Sequence, residues 1–518
     1  MSKGKSGGKN FRKMVFPKDW VGYRPYNKVG EADVYYASVA SEVYSLIRSS
    51  FLFEEVFKSE DDTKRASIML TSLFEDIISG IGVWNLAIGE FHHRYGKILP
   101  FYDTSDYVRG EINLQDVQLL LWDIVQSFKD RSIINPENPY ILSLAGDIFS
   151  IFDAEYEYAV ENVPLKEFLT SPSSGWPYWE VRPRLEWILD GCFLFHRFLT
   201  ELPSMIEHGL RTEGAEDIPA DEIIYSIRVN SLYDFRGNLL SMNCPGILSR
   251  ICGNDPEGRI ADMRKVPILD YLYLGKDSSA LSVRRLCDGE LLRIELDSFN
   301  GLDTSAMVED KTALSCSIVS FGEKWYQSGY MLEIPSIAYT EEMRRKEEMR
   351  LDPFLSEKTA SGIITRFGGR WWHIFPSFEE VKEFYNEALG VNPSFRSLDL
   401  EENARPYLVG LSHAGLSISS GNVSPSIFSP DNPYYDKDAA KKKAIDLVVN
   451  PGGCSYETAC ALRDGGCLPD AMLNSSKGEE HGRALVKDNA EFLTDYFFRR
   501  YRGDDLWERG AARWKRQC

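Results

Sequence analysis

The chain has 518 residues, 43% of them hydrophobic and 26% charged, a composition that predicts folded globular structure rather than disorder or a fibre. At roughly 150 residues per domain, the length suggests about three domains. Lys and Arg number 59 against 78 Asp and Glu, a formal net charge of −19, which argues against phosphate-driven binding of nucleic acid or anionic membrane over the whole surface.

The first fourteen residues are rich in Gly and Lys and carry no apolar segment, so they do not read as a secretory signal. The basic side chains there (Lys3, Lys5, Lys9, Arg12 and Lys13) leave weak, salt-sensitive nucleic-acid binding confined to this tail as one reading. Phe16 to Trp20 follows, then a helical run from about Ala32 to Val56. The clearest helix is predicted from Thr63 to Tyr95, with the stripe Leu70, Phe74, Ile77, Ile78, Ile81, Trp84, Ile88, Phe91 and Tyr95 at spacings of three and four. Gly80 and Gly82 interrupt it and imply a break or the close approach of a neighbour. After the loop Leu99 to Asp103, Asn113 is a candidate N-cap with Asp116 in the first turn. A further amphipathic helix is expected from about Tyr140 to Val160. Beyond the turn-forming stretch Ser171 to Pro177, another should run from Arg184 to about His208.

The pattern changes near Val266. Leu292, Ile294 and Leu296 alternate with Arg293, Glu295 and Asp297, a period of two that marks a half-buried strand. Asp288-Gly289 is a hairpin signal, and Gly322-Glu323 turns a second pair. Ile268–Leu274, Leu281–Leu286, Leu314 to Ile318 and Lys324–Ile334 supply the other strands. Five short strands in this span predict a small barrel or curled antiparallel sheet of the SH3 or OB type. Between Arg264 and Ile334, 8 basic residues face 11 acidic ones, which disfavours a phosphate-tracking groove. Trp325 and Tyr326 on the last strand are candidates for ligand or peptide contact, although packing within the sheet explains them as well.

A charged helix is expected from Glu341 to Asp352, a strand at Arg370 to Phe375, a helix from Ser377 to about Leu389 and a strand at Tyr407–Ser412. Helices follow after Asp436 and from Ser455 to Arg463, and the last should run from about Glu479 to Tyr501. Nine cysteines, at 192, 244, 252, 287, 316, 454, 460, 467 and 518, are scattered without a C-x-x-C pair, so reduced thiols in the cytoplasm are expected. Cys454, Cys460 and Cys467 with His481 form the densest group, but gaps of six and seven residues do not fit a zinc knuckle. No metal site is assigned.

Glu90 and His93 form an E-x-x-H pair, the spacing that di-iron bundles use twice together with two further carboxylates, and no second copy is present. There is no P-loop, no G-x-G-x-x-G after a strand, no G-x-S-x-G strand-to-helix elbow and no H-E-x-x-H in the sequence. Glu75, set among Phe74, Ile77 and Ile78, is the acid for which burial would most plainly raise the pKa.

Several stretches resemble a bacterial family of unknown function: Trp20 with Arg24-Pro25-Tyr26, Asp33-Val34-Tyr35-Tyr36, Leu70 to Gly82, Leu99-Pro100-Phe101-Tyr102-Asp103, Glu111-Ile112-Asn113 and, more loosely, the strand-rich middle and Pro430 to Asp436. The family favours His-Pro-Tyr where this chain has Arg24-Pro25-Tyr26. The resemblance implies a bacterial, intracellular setting and brings no catalytic residue and no cofactor.

The sequence therefore reads as an α+β, mostly helical protein: a basic tail (1–15), a helical bundle domain (16–255), a small barrel-like domain (256–340), a mixed, mainly helical C-terminal domain (341–505) and a polar tail (506–518). The functional expectation is a cytoplasmic binding or regulatory module without its own catalysis, with a protein or small-molecule partner and no membrane or general nucleic-acid association. The alternative is an enzyme whose site is assembled from distant residues, with metal-assisted hydrolysis or oxidation around Glu75, Glu90 and His93.

Overall fold

The computed structural model describes residues 14–498 except 58, 130–131, 212–218, 253–254, 256–257, 300–303, 336, 352–356, 390–405, 413–414, 420–422, 450–455 and 470–475. Residues 1–13 of the basic tail, Cys454 and the polar tail lie outside the described residues, while Val15, assigned to that tail from the sequence, is buried in the core. Helices come first: α1 (Pro17–Val21), α2 (Glu31–Ser49), α3 (Phe51–Glu55), α4 (Glu60–Ser79), α5 (Val83–Tyr95), α6 (Leu114–Phe128), α7 (Pro139–Glu155), α8 (Val163–Thr170), α9 (Tyr178–Gly191), α10 (His196–Leu210), α11 (Ala220–Asp234) and α12 (Cys244–Ile251). The α+β, mostly helical expectation holds.

Four of the long runs expected as single helices are each two. The stripe from Thr63 to Tyr95 divides into α4 and α5, which meet at 92°. Gly80 sits in the left-handed region at φ +62, a conformation that costs an L side chain energy and glycine little. There the Ile81 N–H donates to the Asp76 carbonyl (3.1 Å) and the Gly80 N–H to that of Ile77 (3.2 Å), the paired bonds of a Schellman stop. The Asp76 carboxylate then accepts from the backbone N–H groups of Val83 (3.0 Å) and Trp84 (2.8 Å), so an acid in the last turn of α4 caps the start of α5. The run from Ala32 breaks at Ser50, which is extended. The run from Arg184 divides between α9 and α10 beyond Gly191, where an added Cβ would stand 2.6 Å from the Tyr23 carbonyl oxygen.

The barrel follows: β1 (Lys265–Lys276), β2 (Ala280–Arg285), β3 (Leu291–Glu295), β4 (Ala313–Phe321) and β5 (Lys324–Ile334). The strands close in the order β1-β2-β3-β5-β4, with β4 returning to β1. The sequence predicts an antiparallel sheet, and the structure departs from it at one seam, where β3 and β5 join in parallel through Ile294↔Trp325 and Glu295↔Tyr326. The Asp-Gly turn joins β2 to β3 with Gly289 at φ +79. Inside, Leu269, Tyr271, Leu281, Val283, Ile294, Leu314, Cys316 and Ile318 form a core separate from that of the helices.

The chain continues through α13 (Glu341–Leu351), α14 (Glu357–Arg366), β6 (Trp372–Phe375), α15 (Phe378–Leu389), β7 (Tyr407–Ser412), β8 (Gly415–Ser419), α16 (Lys437–Val449), α17 (Tyr456–Asp464), α18 (Glu479–Asp488) and α19 (Ala490–Phe498). β6, β7 and β8 form a small antiparallel sheet, against which α14 and α15 build a third core. The helix expected from Glu479 to Tyr501 divides at Asn489. Its side-chain amide donates to the Leu485 carbonyl (2.8 Å) while its oxygen accepts the Phe101 N–H (3.0 Å).

That bond already belongs to the N-terminal helices, and the packing does too. Phe492 lies edge-on to Phe91, Tyr95 and Phe101 at centroid distances of 5.9, 5.6 and 5.3 Å, and Tyr496 lies 4.8 Å from Trp122. One hydrophobic core thus runs from Val15 to Phe497 and takes in α16, α17, α18 and α19. The barrel touches it through Phe321 and Tyr326.

Candidate functional site

Glu75 comes from the penultimate turn of α4 and is fully buried. Its two oxygens are both taken: Oε2 by Arg24 Nη2 at 2.5 Å, and Oε1 by the Asn162 side-chain amide at 2.8 Å. Arg24 also donates to Ser72 Oγ (3.1 Å) and to the Tyr23 carbonyl (3.0 Å), and its guanidinium lies 4.0 Å from the centroid of the Trp20 ring. Asn162, the N-cap of α8, reaches Tyr26 Oη (2.7 Å), which donates to Asp33 (3.0 Å). Burial pushes the Glu75 carboxyl above its ordinary value, while Arg24 and Asn162 pull it back. Arg24-Pro25-Tyr26 and Glu75, noticed separately in the sequence, therefore form one network. Most of its donors and acceptors are matched to each other, the exception being Arg24 Nε, which is buried without an acceptor among the described residues, and Glu75 lines neither of the two grooves described below. The arrangement fixes the α1–α2 entry against α4 and α8.

Glu90 and His93 do not share a site. Glu90 is buried and accepts from Arg94 (3.1 Å) and from Arg250 of α12, whereas His93 is exposed. The right-angle turn after α4 also removes Glu75 from the axis that carries Glu90. Among the described residues, no three His, Cys, Asp or Glu side chains gather as a metal-holding group. His481 lies against Glu137 at 2.8 Å, and Cys467 packs near the Tyr435 hydroxyl (3.6 Å).

A second buried network escaped the sequence. Asp123 of α6 accepts from Tyr496 Oη (2.6 Å) and Asn238 Nδ2 (3.2 Å) and pairs with His196 Nε2 at 2.9 Å. Such a carboxylate–imidazole pair is the orienting half of a nucleophilic triad, yet all four residues are at least nine-tenths buried, and neither groove reaches them. The partners lie 73 to 373 positions from Asp123, so no local spacing signals them. A third acid, Asp116, accepts from Trp84 Nε1 and Tyr107 Oη, both at 2.7 Å. Burial raises the carboxyls of Asp76 and Asp116 to about 6.

The two aromatics proposed on β5 separate as neighbours on a strand must. Trp325 packs against the barrel interior, whereas Tyr326 points out toward the helices and stacks on Tyr178 of α9 at 4.3 Å and 19°. Tyr326 also borders a groove of about 1080 Å³ between the β4–β5 turn, β3 and the chain entering β1. Its charged lining is balanced: Arg259, Arg293 and Lys324 against Asp262, Glu295 and Glu323. Several of these are held within the fold. Lys324 pairs with Glu295 (2.8 Å), Arg293 with Asp277 (2.6 Å), and Arg259 donates to the Ser173 carbonyl (3.1 Å) while lying over the Phe321 ring at 4.8 Å. Arg259, Asp262 and Phe321 are groove residues that the sequence reading did not name, and Arg293 appeared there only as a polar position of β3. The alternation of β3 carried the signal for Arg293, and the loop before β1 carried none for Arg259.

No curated protein and no solved structure matches the chain. A family described as a protein of unknown function (DUF3843) matches residues 14–254 and 357–499. The two matched segments are the ones that share the helical core, and the unmatched residues between them hold the whole barrel. By that extent of match, the chain belongs to this family of proteins of unknown function (DUF3843).

Proposed function

We propose that the chain is a cytoplasmic binding protein that holds a partner in the groove between barrel and helical core and performs no chemistry on it. The observation that carries this reading is the groove itself: an open trough lined by the aromatic rings of Phe321 and Tyr326, with walls bearing both signs of charge. Loops at the β4–β5 end of small five-stranded barrels are a recurrent place for ligands. A polyanion is poorly served here, because each cation has an acid or carbonyl beside it and the barrel carries an acidic excess. An extended peptide segment with both acidic and basic side chains fits the lining. The cysteines among the described residues are free thiols, in keeping with a reducing compartment. No single helix among those residues is long and apolar enough to cross a membrane.

Selection of a random-peptide library on the wild-type protein, with counter-selection on an Arg259→Glu/Arg293→Glu variant, tests the reading. The expected result is enrichment of mixed-charge peptides whose affinity falls at least tenfold in the variant and in Tyr326→Ala. No enrichment, or binding indifferent to all three substitutions, refutes it.

A further inference from the structure

A second groove, of about 560 Å³, lies on the helical unit away from the barrel, between the end of α5, the loop 96–104 and α18. Its walls come from both segments matched by the family and from nothing between them. Leu99, Phe101 and Leu485 give it an apolar side and are themselves largely buried. Lys97 and His481 stand on the polar side, with His92, Asp103 and Asp488 also in the lining.

His481 is held from behind. Its Nε2 lies 2.8 Å from Glu137, a carboxylate about nine-tenths buried in the loop before α7, and the other oxygen of that carboxylate takes Lys477 Nζ at 2.9 Å. A carboxylate at Nε2 fixes which ring nitrogen carries the proton. The remaining nitrogen, Nδ1, makes no hydrogen bond within the described residues. Lys97 is anchored by two neutral acceptors, the Asp488 carbonyl at 2.6 Å and Asn489 Oδ1 at 3.0 Å, which leaves its third N–H for another partner. In the neutral ring the proton sits on Nε2 toward Glu137 and Nδ1 can only accept, so it is the imidazolium that, with the Lys97 ammonium beside an apolar wall, makes a complement to an oxyanion on an apolar body. The chain Lys477–Glu137–His481 then continues its alternation of charge into the ligand when His481 is protonated. Asp103 is engaged in part by the Ser105 N–H (3.0 Å), and Asp488 lies close enough to offset some of the charge of Lys97.

We propose that this groove binds a small organic acid, its carboxylate on Lys97 and His481 and its apolar body against Leu99, Phe101 and Leu485. The volume lies within the range of pockets that enclose small molecules. This site is independent of the groove at the barrel.

The test uses the full chain and 4-iodobenzoate. Calorimetric titration is expected to show binding to the wild type that weakens at least tenfold in Lys97→Met and in His481→Gln, with phosphate binding at least tenfold more weakly than iodobenzoate. Where a substitution prevents folding, a crystal of the wild-type protein soaked in 4-iodobenzoate decides, through the anomalous signal of iodine. A peak in the groove with the carboxylate on Lys97 and His481 sustains the proposal. No binding, a peak elsewhere, affinity unchanged by both substitutions, or phosphate binding as tightly as iodobenzoate overturns it.

Discussion

Replacing Arg24 by Met keeps most of the side chain's volume against Trp20 and removes its charge from beside Glu75. The pair is closed to solvent, with side-chain exposures of 0% and 2%, so water cannot take over the role of the guanidinium. Breaking such a buried pair costs about 3–5 kcal/mol when the remaining charge stays buried. Glu75 has an escape, which is to take up a proton. With an ordinary glutamate pKa near 4.3 and about 1.36 kcal/mol per pH unit, protonation costs about 3.7 kcal/mol at pH 7 and about 1 kcal/mol at pH 5. The loss of stability in Arg24→Met should therefore be about 4–5 kcal/mol at pH 7 and shrink to about 1–2 kcal/mol at pH 5, the packing and orphaned Ser72 contact adding the same small amount at both. Urea unfolding at both pH values measures it. The double variant Arg24→Met/Glu75→Leu should recover much of the loss at pH 7 and show little dependence on pH. A loss equal at both pH values, or a double variant as unstable as the sum of the two single ones, would refute the view that an uncompensated buried carboxylate is the cost.

Gly80→Ala should destabilise by about 1–2 kcal/mol, the left-handed penalty for an L residue, because the added Cβ has space, with Lys166 Nζ at 3.6 Å as its nearest neighbour; Gly80→Asn should cost less, and an alanine effect under about 0.5 kcal/mol on the unfolding midpoint would contradict the helix-stop reading. Asp76 and Asp116 titrate near 6 in the folded chain, above their unfolded values, so the folded state holds protons more tightly and their contribution to stability falls as pH rises from about 4 to about 6. Between pH 6 and pH 5 each carboxyl should add about 1 kcal/mol, less than a full pH unit's worth because the folded group is half-ionised at pH 6, and calorimetry should find a smaller gain on acidification in Asp116→Asn than in the wild type; an unchanged pH slope would remove Asp116 from the account.

Much of the architecture is written in local pattern. The alternation around Leu292 and Ile294 and the Asp-Gly turn mark β2 and β3 because a strand exposes its period of two within a few residues. The apolar stripe of α4 and α5 is equally plain, but it does not reveal that the axis turns, because both helices bury the same kind of face. Gly80 and Gly82 mark the place, while the agent of the turn is the Asp76 carboxylate, whose partners become evident only once α5 has swung round. The candidate sites divide along the same line. Glu75 was visible as an acid in apolar surroundings, but its partners, 51 and 87 positions away, were not. Glu90 and His93 have the right spacing and the wrong surroundings, since Arg94 and Arg250 occupy the acid and the histidine faces solvent. Adjacency made Trp325 and Tyr326 look like one feature, and the pleat of β5 sends them into different cores.

The route of the chain also bears on how the protein is made. Tyr496 completes the coordination of Asp123 from 373 positions later, and Phe492 fills a space between Phe91 and Phe101. While a ribosome is still adding the barrel, the first dozen helices must wait with an aromatic-lined gap and a carboxylate short of one donor, and closure over such sequence separation is slow. Nascent chains should accordingly expose a sticky hollow for most of their synthesis, where a chaperone would bind, and the barrel, whose interior closes on itself, should mature before the helices that precede it.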